Sequence, residues 1–179
     1  MDIWDVVIIG AGPAGSSAAI DLAKGGKRVL IIDKSEFPRT KPCGGGLTVK
    51  TLKTLRRRPD KLVSWVHRKI HLTNNLHEEV VLESKDLLCA MVTRRDFDTW
   101  LLKQAIAEGA SFSIAEVTGV HKGKNYCVVK TKDGNEHHAS WVVAADGAKS
   151  VVRRGAHRRT VVRQAFALEG RVNMTPSLR

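Results

Sequence analysis

The sequence predicts an α/β protein built on a parallel sheet, and three observations predict it. The chain opens on a short β-branched run, Asp5-Val-Val-Ile-Ile9, followed by Gly10-x-Gly12-x-x-Gly15 and an alanine-rich helical stretch. A second apolar run, Val29-Leu-Ile-Ile32, ends on an acid, Asp33, about 20 residues beyond the glycines, where a βαβ nucleotide site needs a carboxylate for ribose hydroxyls. A third run, Trp141-Val-Val-Ala-Ala145, leads into Asp146-Gly147 and another helix start.

Each glycine of the first turn has a mechanical role. Gly10 permits the sharp turn off the strand, Gly12 lets backbone approach a pyrophosphate, and Gly15 lets the helix pack closely on the sheet. The helix N-terminus, opening on Pro13 and Ala14, supplies unpaired N–H donors for an anion. By itself this turn suits NAD and FAD equally.

In chain order, strand is expected over 3–9, helix over 13–25 with Gly25-Gly26 as its stop, and strand over 27–33. Between Phe37 and Thr48, two prolines and the triplet Gly44-Gly45-Gly46 exclude a regular element. Residues 48–58 fit a helix closed by Pro59. Alternating runs at 66–72 and 79–83 fit strands around an Asn74-Asn75 turn, and 92–94 a short strand.

Phe97, Trp100, Leu101, Gln104 and Ala105 follow the i, i+3, i+4, i+7 rule of an amphipathic helix. Asp96 and Asp98 lie in its first turn, complementing the macrodipole, and Gly109 is its stop. Strand is then expected over 111–118, and Asp133-Gly134 joins strands at 126–131 and 137–143 as a hairpin. Beyond Gly155 the pattern loosens, with a candidate strand at 164–172.

Hydrophobic residues make up 42% of the 179, enough for a core and against wholesale disorder. No apolar run approaches the roughly 18 residues of a membrane span, and the acidic N-terminus does not resemble a secretion signal. A cytoplasmic protein is expected. Cys43, Cys89 and Cys127 are too few for a disulfide framework and lie in no metal-binding spacing, so no metal site is expected.

Thirty Lys and Arg against 18 Asp and Glu give a net charge of +12, which suits anionic partners. The basic stretches at 53–69 and 153–163 fit a solvated surface or a patch for acidic membrane. They lack the interleaved aromatics of a base-stacking platform, so nucleic acid is not expected.

Four pieces thus stand in order: Gly10/Gly12/Gly15 with Asp33; Lys41-Pro42-Cys43-Gly44-Gly45-Gly46; Arg94-x-x-Phe97-Asp98; and Ala145-Asp146-Gly147-x-x-Ser150-x-x-Arg153. Together they resemble the flavoprotein monooxygenase-like oxidoreductases, and within these the geranylgeranyl reductase family, over residues 4 to about 155. The resemblance implies a Rossmann-like FAD-binding domain over 1–155 with a β-meander crossover. Part of a substrate sheet would be inserted around 62–93, and 156–179 would be a truncated substrate-domain start or a disordered tail.

It implies that Gly10, Gly12, Pro13, Ala14 and Gly15 hold the FAD pyrophosphate and that Asp33, with Lys34 beside it, holds the adenosine ribose. Many relatives carry the longer glutamate at that position. Val117 would lie by the adenine, and Arg94 by the diphosphate or ribityl chain. Asp146 and Gly147 would help hold the cofactor, and Cys43, Gly44 and Gly45 would lie by the isoalloxazine ring. Cys43 is open to two roles, a catalytic thiol or an apolar packing residue.

The implied reaction is saturation of isoprenoid double bonds in lipids or chlorophyll precursors by reduced flavin, with NAD(P)H or reduced ferredoxin as donor and peripheral membrane contact. Relatives continue into a large substrate sheet that this sequence lacks. The alternatives are therefore a non-catalytic FAD-binding module, or half of a split flavoenzyme with a complementing C-terminal half.

Overall fold

The computed structural model describes residues 3–74, 78–155 and 167–170. Its centre is a six-stranded sheet. Strand β1 (Ile3–Ile9) feeds helix α1 (Pro13–Lys24), which returns to β2 (Val29–Asp33) beside β1. Both strands read as apolar runs because both faces are covered: Val7, Ile8, Ile31 and Ile32 are fully buried.

Helix α3 (Arg94–Ala107) leads to β8 (Ser111–Ile114), parallel to β2 on its outer side. The meander β9 (Val117–Lys122), β10 (Cys127–Thr131) and β11 (Glu136–Ala144) completes the order β8-β2-β1-β11-β10-β9. Strand β11 pairs in parallel with β1, from Ile3 opposite His138 to Ile9 opposite Ala144. That register brings Ala145-Asp146-Gly147 beside the glycine turn. Short α4 (Val151–Gly155) follows.

Between β2 and α3 lie β3 (Gly46–Thr48), α2 (Val49–Thr54), a 3-10 turn at Asp60–Leu62, and β4 (Trp65–His67). Strands β5 (Lys69–Asn74), β6 (Glu78–Glu83) and β7 (Cys89–Met91) follow. Strands β3, β7 and β4 form a small antiparallel sheet, and β5 with β6 a separate ribbon.

Two apolar clusters hold the layers together. On one face α1 and α3 pack Ala19, Ile20, Phe97 and Leu101 over Val6, Ile8, Val29 and Ile31. On the other, Val7, Ile9, Leu30 and Ile32 join Val117 and Val129 of the meander.

Several expectations need correction. The glycine-rich stretch does carry a regular element, since Gly46 to Thr48 pair with β7. The helix expected to Arg58 ends at Thr54, because Leu55 turns to extended backbone ahead of the arginines and Pro59. The strand expected at 92–94 is at Cys89–Met91, and Thr93 instead caps α3 by accepting the Asp96 N–H.

The strand expected over 111–118 is two. The first ends at Ile114, and the second runs from Val117 through residues that hid it, the weak strand former Gly119 and the polar His121 and Lys122. Asp98 does not serve the helix macrodipole; its carboxylate is completely buried. The Asn74-Asn75 turn lies partly outside the described residues. So does the strand expected at 164–172, of which 167–170 carry no regular structure.

Candidate cofactor site

The site is built where β1 ends. Gly10 has φ +101, the left-handed region, and a Cβ there would lie 2.4 Å from the Ala145 carbonyl oxygen of the neighbouring strand. A Cβ on Gly15 would lie 1.8 Å from the Gly10 carbonyl oxygen. Only glycine at both positions lets strand, turn and helix come this close. Gly12, by contrast, meets only the Arg39 guanidinium at 3.7 Å, and nothing lies within 4 Å of Gly44. At Gly44 the fold leaves open space in front of the backbone, and at Gly12 only the end of a flexible arginine stands there.

Helix α1 starts with Gly12 as its N-cap, Pro13 at its first turn, no side-chain cap and no acid in that turn. Ala14 follows. No carboxylate of the helix's own first turn therefore occupies its positive end, which favours an anion in that position.

Asp33 lies at the carboxyl end of β2. Its Oδ2 accepts the Ala11 N–H at 2.8 Å and its Oδ1 the Ser35 N–H at 2.9 Å. The acid thus ties the glycine turn to β2, and its remaining lone pairs face a cavity of about 170 Å3. Gly10, Lys34, Val117 and Asp146 line the same cavity, so five residues expected from the sequence converge there. Asp146 Oδ2 also accepts the Val151 N–H at 2.7 Å, opening α4, and Gly147 follows with φ +78.

The other expected residues lie elsewhere. Cys43, Gly44 and Arg94 line a second, larger cavity of about 570 Å3, with Lys41, Thr93 and Arg95. Gly45 accepts the Val92 N–H at 3.0 Å, fixing this loop against the start of α3.

An ion triad that includes Arg94 escaped the sequence. Arg94 donates from Nε to Asp98 Oδ1 at 2.7 Å and from Nη2 to Oδ2 at 2.9 Å. Arg39 Nη2 reaches Asp98 Oδ2 at 3.0 Å, and the Arg39 guanidinium lies over the Phe37 ring. One carboxylate between two guanidiniums leaves an excess positive charge. Arg39 faces Gly12 of the glycine turn and Arg94 lines the larger cavity. In the sequence Arg39 is one basic residue among thirty. The only local signal was the Arg94/Asp98 spacing of four, which places both on one helix face.

The Gly45 N–H, and after it the Arg94 guanidinium, hold the Cys43 thiol below its ordinary pKa of 9.0. Because the folded value is depressed, the associated stabilisation is complete above pH 9.0 and is lost as pH falls through the folded value. The midpoint of Cys43 alkylation, followed by peptide mass spectrometry, is expected below 9.0. Arg94→Gln should move it only part of the way back, since the backbone N–H remains. A midpoint unmoved by Arg94→Gln would remove the guanidinium from the account.

The fold and its cradle are recognisable among known proteins. The FAD binding domain family matches residues 4–176. A menaquinone reductase of Mycobacterium tuberculosis is 35% identical over 170 residues, covering 88% of this chain and 41% of the relative. A digeranylgeranylglycerophospholipid reductase of Methanosphaera stadtmanae is 35% identical over 171 residues, covering 88% and 43%. The crystal structure of a geranylgeranyl bacteriochlorophyll reductase-like protein from Thermoplasma acidophilum superposes with a TM-score of 0.81 at 26% identity. That alignment covers 92% of this chain and 44% of that one.

The chain thus spans about two fifths of the length of the curated relatives it matches. A match running over nearly the whole chain, on a fold built around the glycine turn between β1 and α1, makes this chain a member of the FAD binding domain family.

Proposed function

We propose that the chain is the FAD-binding part of a flavin-dependent reductase that saturates carbon–carbon double bonds of a polyisoprenoid lipid. The observation that carries this reading is the two-lobed site. Asp33, Gly10 and Asp146 line a small cavity, Cys43, Gly44 and Arg94 line a larger one, and an ion triad runs from Arg39 beside Gly12 through Asp98 to Arg94 on the wall of the larger cavity. FAD has this layout, with adenosine at one end, flavin at the other and pyrophosphate between. The names of the relatives support the substrate class, since menaquinone and digeranylgeranyl lipids share a polyisoprenoid chain.

In this reading Gly10, Gly12, Pro13, Ala14, Gly15 and the Arg39 guanidinium take the pyrophosphate. Asp33 and Lys34 take the ribose side, Val117 the adenine, and Asp146-Gly147 closes the loop over the small cavity. Arg94, Gly44 and Gly45 flank the flavin end. The chemistry supplied by bound FAD is two-electron hydride transfer, drawing on NAD(P)H or reduced ferredoxin. Cys43 Sγ, on the wall of the large cavity beside Arg94, is the atom we assign the accompanying proton.

We assign residues 1–155 to the cofactor domain, with 62–93 as the first part of a substrate sheet. The net charge of +12 suits docking of the enzyme on acidic membrane lipid. Among the described residues no helix is long and apolar enough to cross a membrane.

The share of the relatives' length that the chain spans favours a second reading, a FAD-binding module without turnover of its own. Purification with FAD, desalting and a visible spectrum test the cofactor. Assay with NAD(P)H or reduced ferredoxin and a digeranylgeranyl phospholipid tests the reaction. Retained flavin with substrate saturation supports the reductase; retained flavin without it supports the module; no retained flavin sinks both.

Asp33→Ala is expected to weaken FAD binding by about 1.5–3 kcal/mol through the lost charge-assisted hydrogen bond, measured by flavin fluorescence quenching. Unchanged affinity would confine Asp33 to ordering the Ala11 and Ser35 turn.

A further inference from the structure

The outer face of the small antiparallel sheet gathers two sulfurs and an imidazole. Side chains alternate across a strand, and in β7 Ala90 is buried in the core together with Leu47, its register partner on β3. Cys89 and Met91 therefore share the opposite face. Antiparallel register sets His67 of β4 directly across from Cys89, and directly opposed residues stand on one face with Cβ atoms about 4.5–5.5 Å apart. Cys89 and Met91 are half-buried and His67 is exposed, so solvent reaches all three. Met91 also lines the larger cavity.

The sulfurs already stand where one ion would hold them. Cys89 Sγ lies 4.0 Å from Met91 Sδ. Two sulfurs in a trigonal plane around one ion, at a metal–thiolate length of about 2.3 Å, stand about 4.0 Å apart. They meet over Gly46, where a Cβ would lie 2.9 Å from Cys89 Sγ and 3.8 Å from Met91 Sδ. The missing side chain leaves room for both. Among the described residues no three of His, Cys, Asp and Glu come together to hold a metal. The thioether of Met91 brings this donor set to three, and thioether with thiolate selects a soft ion.

We propose that Cys89, Met91 and His67 form a binding site for a soft monovalent cation, with cuprous copper as the first-row example. Cu+ displaces the Cys89 thiol proton, which leaves to solvent, and a thiolate, a thioether and a neutral imidazole surround the ion. The copper keeps its oxidation state. No spacing in the sequence announces the site, because the imidazole comes from the neighbouring strand. The inference rests on the small sheet and not on the flavin reading, so a chain that retains no FAD leaves it standing.

The test is anaerobic titration of the 179-residue chain with Cu+ held by the chromophoric chelator bicinchoninate. Cys43→Ser and Cys127→Ser leave Cys89 as the only thiol. Withdrawal of one copper per chain is expected, and Cys89→Ser should abolish it. Met91→Leu, which conserves volume, and His67→Gln should each weaken binding by at least about tenfold, the loss that even outer-shell partners of a metal ligand carry. Unchanged far-UV circular dichroism shows that the variants keep the fold. X-ray absorption of the copper-loaded chain reads the donors directly, with two sulfurs and one nitrogen expected. Copper retained by the Cys89→Ser chain overturns the proposal. So does a single sulfur in the absorption spectrum, or an affinity that either Met91→Leu or His67→Gln leaves unmoved, since the donor set would then be smaller than three.

Discussion

Asp98→Ala should cost about 3 kcal/mol of folding stability, the lower end of what removing one partner from a buried ion pair costs. The lower end applies because Asp98 is completely buried, whereas Arg39 and Arg94 keep 16% and 18% of their side chains exposed, so water can partly compensate the two guanidiniums left behind. Urea unfolding of the apo chain measures this, with an unchanged m-value showing that the unfolded state is unaffected.

The same substitution should weaken FAD binding, because Arg39 would no longer be held toward Gly12, nor Arg94 toward the large cavity. Arg39→Ala alone should be milder, since Asp98 keeps both hydrogen bonds from Arg94. The double mutant should then lose less than the sum of the singles, the mark of coupled groups. A loss below about 1 kcal/mol for Asp98→Ala, the range of exposed pairs, would show that the carboxylate does not organise the bridge.

Gly10→Ala should lower stability by about 3 kcal/mol, combining left-handed backbone with a Cβ forced into a neighbouring carbonyl. The carbonyl belongs to Ala145, and the 2.4 Å approach is to backbone, which cannot swing aside as a side chain would. Gly44→Ala provides the contrast. Nothing lies within 4 Å of its Cβ position and its backbone is not left-handed, so thermal unfolding should be nearly unchanged. Its FAD affinity should still fall, because the space the methyl would enter is the one we assign to the flavin end. If Gly44→Ala binds FAD as tightly as the parent chain, the flavin does not approach this backbone. A Gly10→Ala protein of parental stability would mean that the turn relaxes away from β11.

The strand–glycine turn–helix unit was legible because its parts are local. Strand, glycine turn and helix start follow one another without interruption, and their spacing alone fixes which backbone N–H groups stand at the helix N-terminus. Asp33 was legible too, since a βαβ unit returns its second strand beside the first, and its carboxylate does reach the turn, through the Ala11 N–H. The amphipathic helix was found from its apolar period, and Phe97, Leu101 and Ala105 are indeed its buried face. That period says nothing of a polar residue on the same face, and this is why Asp98 was assigned to the helix dipole.

What the amino-acid sequence determines by itself is the βαβ cofactor cradle, because short-range sterics and hydrogen bonding require glycine and a strand-end acid at fixed spacings. Tertiary structure alone decides the rest. Asp98 is buried by the packing of α3 against the sheet, and only there does it need a second cation, which comes from Arg39, 59 positions earlier in the chain. The parallel pairing of β1 with β11 likewise joins segments more than 130 residues apart, and with it sets Asp146 at the small cavity and leaves Trp141 bare. Contacts of that range leave no period in a sequence, because the residues that make them are chosen by a surface and not by their neighbours in the chain.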